Sequence, residues 1–120
     1  MITKKEDIEV TRGDDKRWSL LLTRRDSTPH NITGWTVFFT VKSAVTDPDA
    51  SAKIAKNITS HASPLNGLTL IDLSASDTAS LPVGTYYYDI QVKTDAGKIY
   101  TVQKGKFVID YDVTIRTSVS

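Results

Sequence analysis

The sequence predicts an all-β sandwich, on three observations. Apolar and polar residues alternate with period two through most of the chain, as strands with one buried face do. No stretch carries the repeat of a long amphipathic helix, which removes βαβ architectures. The alternating runs are separated by breakers rich in Gly, Pro, Asn and Asp: "DSTPHN", "TDPDAS", "ASPLNG", "LPVG" and "TDAG".

Taken in order, "DIEV" is a short strand with Ile8 and Val10 inward. "RWSLLLTR" places Trp18, Leu20 and Leu22 on one face and Ser19, Leu21 and Thr23 on the other. "WTVFFTV" buries Trp35, Val37, Phe39 and Val41 and turns Thr36, Phe38, Thr40 and Lys42 outward. "SAKIAKNIT" and "LTLIDLS" are weaker strands. "SASDTASLP" reads as a helical turn: Ser74 or Ser76 caps it, Asp77 suits its first turn and Pro82 stops it. "YYYDIQVKT" sends Tyr86, Tyr88, Ile90 and Val92 inward, leaving Tyr87 outside. In "KIYTVQKGKFVID", Tyr100 and Val102 share one phase and Phe107 and Ile109 the other, so a one-residue slip lies between them. Gly105 is its expected place, because an inserted residue needs backbone freedom.

The result is about seven antiparallel strands at roughly 8–15-residue spacing with one short helical turn, an immunoglobulin-like β-sandwich without the Cys…Trp…Cys signature of antibody domains. One domain is expected over residues 1–120, with its core over about 6–110 and terminal arms at 1–5 and 111–120. The arm at 111–120 keeps alternating through Val113 and Ile115, and such an orphan strand invites pairing with a neighbour.

Composition removes several functions. Fifteen basic and 14 acidic residues give a net charge of +1, and the basic residues are dispersed pairs, not the dense stripe that phosphate neutralisation needs. Nucleic acid is therefore not an expected partner. There is no apolar run long enough to span a membrane, and the start, "MITKKEDIEV", has no apolar h-region of a secretory signal. With no cysteine, disulfides and thiolate chemistry are out.

No constellation for catalysis emerges. His30 and His61 lie in turn-like segments and read as solvated loop residues, without metal-ligand spacing. Asp47 and Asp49 resemble half of a calcium loop that lacks its bidentate Glu. There is no nucleophile elbow and no phosphate-cradling glycine loop, so no cofactor, metal or small-molecule substrate is expected. The Asn-X-Thr patterns at Asn31 and Asn57 are read as coincidence. Asn31-Ile32-Thr33-Gly34 has a structural use instead: an Asx turn, an apolar plug at Ile32, and a glycine that swings the chain into the strand at Trp35.

Two surface features remain. Leu21, Phe38 and Tyr87 point outward and are expected to form one apolar patch for a protein partner. Arg12-Gly13-Asp14 spells the tripeptide that integrins grip, but it falls between two strands and is expected to be a turn. Gly13 supplies positive φ, Asp14 or Asp15 bonds back to the turn, and Arg12 and Lys16 keep the edge soluble. Gly34, Gly84 and Gly105 are also expected to be structural turn residues.

Three ordered segments, "IEVTRGDDKRWSLLLT", "NITGWTVFFTVKS" and "LTLIDLSASDTASLPVGTYYYDIQVKTDAGKIYTVQKGKFVIDYDVT", together cover nearly the whole chain. Their order and spacing resemble the small immunoglobulin-like sandwich domains of tailed phage and prophage structural proteins, such as the N-terminal domain of baseplate upper proteins. The region from Thr46 to Ser63 matches least well. The resemblance implies a non-catalytic virion subunit of the tail or baseplate, made in the bacterial cytoplasm. Its implied partners are other phage structural proteins, with a homo-oligomer as one form. Family members carry this domain at the start of a longer protein, whereas this sequence ends just after the last strand, so the expectation is a connector or adaptor. The alternatives are a carbohydrate-binding or host-adhesion module, and a head decoration or closure protein.

Overall fold

In the computed structural model, residues 3–24 and 26–111 are described; Val113, Ile115 and most of the expected arm at 111–120 lie outside them. Among the described residues, eight strands run as β1 (Lys4–Lys5), β2 (Ile8–Thr11), β3 (Lys16–Leu21), β4 (Thr36–Lys42), β5 (Ile54–Ile58), β6 (Leu68–Leu73), β7 (Gly84–Lys93) and β8 (Ile99–Asp110), with one short α-helix α1 (Ala75–Ala79) before β7. They form two sheets. The larger has the order β1-β8-β7-β4-β5, with β2 also on β8, and the smaller is the pair β3-β6.

The alternating residues meet between these sheets. Val37, Phe39, Val41, Tyr86, Tyr88, Ile90 and Val92 are buried, as their phase predicts. Phe39 is the hub. Its ring lies 5.5 Å from Trp18 across the sandwich, 5.7 Å from Tyr88 and 6.0 Å from Phe107. Edge-on and tilted rings at these spacings suit the aromatic quadrupole. The Asx turn also forms: Thr33 N–H donates to Asn31 Oδ1 at 3.1 Å, Gly34 has φ +79°, and Ile32 is fully buried.

Three features depart from the expectation. First, the sheet is not wholly antiparallel. β1 and β2 run parallel to β8, Lys4 beside Gln103 and Ile8 beside Phe107, as one edge strand interrupted at Glu6 and Asp7. The interruption is bridged by the Asp7 carboxylate, which accepts the Lys106 N–H at 2.9 Å. Second, the slip in β8 lies at Val102, not at Gly105. Ile90 pairs with Gln103 and Gln91 with Thr101, so Val102 is the extra residue and Val102 and Gln103 are both buried.

Third, Gly105 is not a turn residue. It lies within β8 opposite Tyr88, where an added Cβ would land on the Glu6 carbonyl oxygen. The side chain is missing because another strand crosses there. Tyr88 uses the same opening: its hydroxyl donates to Glu6 O at 2.5 Å and accepts from Gln103 Nε2 at 2.9 Å. Gly105, Tyr88 and Gln103 thus anchor the N-terminal edge strand.

Candidate interaction surfaces

The Arg12-Gly13-Asp14 segment is a tight turn between β2 and β3. Asp14 N–H donates to Thr11 O at 3.1 Å, and Gly13 has φ +81°, at the position where a type II turn requires it. The turn is docked onto its own domain. Gly13 N–H donates to the buried Thr78 Oγ1 at 2.9 Å, and Arg12 N–H to Asp110 O at 3.0 Å. Asp15 does not bond back to the turn; its carboxylate accepts Ala75 N–H at 2.7 Å, at the start of α1. Arg12 is half-buried and Asp14 exposed, and the two backbone bonds fix the turn against the domain.

The expected apolar patch is divided. Leu21 lies on the opposite side of β3 from Trp18, whose ring meets Phe39, so Leu21 faces out of the smaller sheet. Phe38 and Tyr87 face out of the larger sheet, on the other side of the molecule. Phe38 is half-buried, with Asn57 and Gln91 as its cross-strand neighbours. Tyr87 lines a shallow groove of about 520 Å³ with Val45, Lys5, Lys104 and Lys106. Val45 is 72% exposed and was hidden in the sequence because it sits in a connection, outside any periodic run. On this face burial pushes the Asp89 carboxyl above its usual range, despite the attraction of Lys42 and Lys104.

A second groove, of about 400 Å³, runs between β3 and the β1/β8 edge, lined by Trp18, Leu20, Leu22, Val102, Gln103 and Lys4 among others. β3 pairs only with β6 among the described residues. Leu22 N–H donates to Gly67 O at 2.8 Å, in register with the pairs Leu20–Thr69 and Trp18–Ile71. By antiparallel alternation, the N–H and C=O groups of Arg17, Ser19 and Leu21 then point away from β6, toward the open edge. Trp18 also carries a buried Nε1–H with no hydrogen-bond partner among the described residues.

The other side of the sandwich is closed. Lys56 turns inward from β5 and meets Asp77 of α1 at 2.8 Å. Asp77 also accepts the Ser74 N–H at 2.8 Å, tying down the helix start. Burial works to raise the Asp77 carboxyl, but the bonds from Lys56 and Ser74 outweigh it and hold it below the usual range. Asp77→Ala is expected to cost about 1–2 kcal/mol near neutral pH. The native carboxyl titrates below its unfolded value, so this contribution is present above about pH 4 and lost as pH falls through the native value. Denaturant melts of both proteins at neutral and acidic pH check this, and the gap between them should narrow in acid.

Neither histidine is a solvated loop residue. His61 Nε2 lies 2.8 Å from Trp35 O and its Nδ1 2.9 Å from Thr69 Oγ1, so Nε2–H is the donor to the carbonyl. His30 lies 5.4 Å from the Trp35 ring, and burial, aided by Arg24, lowers its pKa. Both rings serve as packing and bracing around Trp35. Among the described residues, no three His, Cys, Asp or Glu side chains gather as metal ligands would. Asp47 and Asp49 have structural partners: Asp47 Oδ2 accepts Ala44 N–H at 3.1 Å, and Asp49 pairs with Lys42 at 2.6 Å.

These features define an immunoglobulin-like β-sandwich whose distinctive surfaces are a strand edge and two grooves. In fold the chain is similar to the N-terminal domain of phage TP901-1 ORF48, at TM-score 0.50 and 13% identity, over 88% of this chain and 85% of that one. A chain in the crystal structure of ICOS in complex with ICOS-L and an anti ICOS-L VNAR domain matches at TM-score 0.46 and 9% identity, over 92% of this chain and 56% of that one. No protein-family model matches the sequence, and no curated protein matches it.

Proposed function

We propose that this protein is a non-catalytic structural subunit of a phage or prophage particle, a tail or baseplate connector or adaptor that acts through protein–protein assembly. The observation that carries the reading is its likeness in fold, over most of its length, to a domain of a phage protein. The resemblance of its ordered segments to phage sandwich domains supports the same reading. So do the surfaces: a strand edge that is open among the described residues, and an exposed Tyr87–Val45 groove bordered by Lys5, Lys104, Lys106, Glu6 and Asp7, suit other proteins better than a small molecule. A carbohydrate-binding role would call for outward tryptophans, and Trp35 is buried while Trp18 packs edge-on against Phe39. On this reading the protein is made in the bacterial cytoplasm and ends in the virion. Mass spectrometry of gradient-purified particles from the encoding phage or lysogen tests it. The protein should co-purify at a fixed ratio to the known tail subunits; its confinement to the soluble lysate would refute the assignment.

A further inference from the structure

We propose that the groove around Tyr87 docks an acidic, extended segment of another protein, which seats an aliphatic side chain on Val45 and Tyr87 between two carboxylates. The floor of the groove is accessible: Val45 is 72% exposed and Tyr87 37%. Its charges do not cancel. Of its two acidic residues, Glu6 meets Lys4 at 3.5 Å and Asp7 accepts the Lys106 N–H at 2.9 Å. Its three lysines, Lys5, Lys104 and Lys106, are all exposed and make no ion pair among the described residues.

The sheet register sharpens this imbalance. Lys5 stands directly across from Lys104, and Lys106 across from Tyr87. Like charges at paired positions repel, so the fold holds Lys5 beside Lys104 at a cost that an approaching carboxylate would relieve. Asp89, half-buried across from Lys104, is the one carboxylate at a position paired with any of the three among the described residues. Lys42, across from Tyr87 on the other side, is already taken by Asp49 at 2.6 Å.

The chemistry of the occupant follows from these contacts. β1, β8, β7 and β4 are successive strands about 4.8 Å apart, so the face from Lys5 to β4 is about 14 Å wide, the length of about four extended residues. Val45 and Tyr87 supply an apolar floor and the lysines a cationic rim. A phosphate chain would meet the rim and leave Val45 bare. A peptide with an aliphatic residue flanked by Asp or Glu covers the floor and meets the rim together. The inference deepens the assembly reading above, and rests on it for the source of such a segment, another subunit.

The test titrates the isotope-labelled full-length chain with the end-blocked peptide Gly-Glu-Asp-Leu-Asp-Glu-Gly, up to about 5 mM, and reads amide shifts by NMR. The shifts should saturate and cluster at Val45, Tyr87, Lys104 and Lys106, and added salt should weaken the binding. Lys5→Glu with Lys106→Gln should weaken it at least tenfold. The melting temperature should not fall, because the like-charge pair with Lys104 becomes an opposite-charge one. If that variant does melt lower, Val45→Asp, in an exposed connection, takes its place with the same tenfold loss expected. Absent or scattered shifts, or undiminished binding by the variant, would overturn the proposal. So would equal binding of the Gln/Asn analogue, or of the peptide with Ser for Leu, since neither the rim nor the floor would then matter. Tighter binding of inorganic polyphosphate with the same shifts would overturn it in favour of a phosphate site. A chain found in particles that ignores the acidic peptide refutes this inference alone. A chain that binds the peptide but is absent from particles refutes only the function proposed above.

Discussion

Phe39→Ala is expected to destabilise the domain by about 3–5 kcal/mol, the largest effect of any single truncation in the core. Phe39 is fully buried and its ring meets Trp18, Tyr88 and Phe107, so it joins the two sheets at their centre. Truncation leaves a cavity that neighbours from three strands and both sheets would have to collapse to fill, and rigid strands collapse poorly. Against a typical total of about 5–15 kcal/mol, that loss leaves a marginal fold and lowers the melting temperature by roughly 10–20 °C. Phe38→Ala, one residue earlier and on the outer face, should cost only about 1 kcal/mol. Denaturant unfolding of both variants checks the assignment of faces. Equal losses would contradict it.

Gly105→Ala is expected to cost about 3 kcal/mol, although it adds a single methyl group to an ordinary strand position. The new Cβ would occupy the Glu6 carbonyl oxygen and lie 2.7 Å from its carbon, and backbone cannot swing aside as a side-chain tip can. To make room, β1 and β2 must lift from β8, which also breaks the bond from the Tyr88 hydroxyl to Glu6 O. The loss should therefore concentrate at the edge, with hydrogen-exchange protection falling first at the Glu6 amide, which donates to Lys104 O at 3.0 Å. Gly97→Ala is the control. Gly97 has φ +84° but nothing within reach of an added Cβ, so only the left-handed backbone opposes it, at about 1 kcal/mol. If the two alanines cost the same, the close crossing at Gly105 is wrong.

The period-two signal made the inward faces of β2, β4 and β7 legible residue by residue, since each strand has one face in a single core. The helical turn was legible too, because Ser74, Asp77 and Pro82 act locally. What periodicity does not encode is which sheet a strand joins. Leu21, Phe38 and Tyr87 are each outward on their own strands, yet two sheets carry them to opposite sides of the molecule. The parallel pairing of β1 and β2 with β8 was hidden for a related reason: it joins residues about a hundred positions apart and leaves no local mark.

Gly105 shows a different limit. A glycine in a strand marks either a bulge or a close approach, and the sequence alone does not separate the two. The bulge falls at Val102, where an extra residue turns Gln103 inward to its phenolic partner, and the close approach falls at Gly105. His61 was misread because its neighbours are polar, whereas its bonds to Trp35 O and Thr69 are made by residues 26 and eight positions away. The β3 groove had no local signature either, since its two walls come from different sheets.

If this sandwich is built into a phage or prophage particle, as proposed, immunogold electron microscopy on intact particles will find it at a fixed place. With an antibody to this chain, label should fall on the tail or baseplate at a constant position. Label on the head would keep the virion role and replace the tail assignment with decoration or closure. Unlabelled particles from a lysate that contains the protein would refute the virion role.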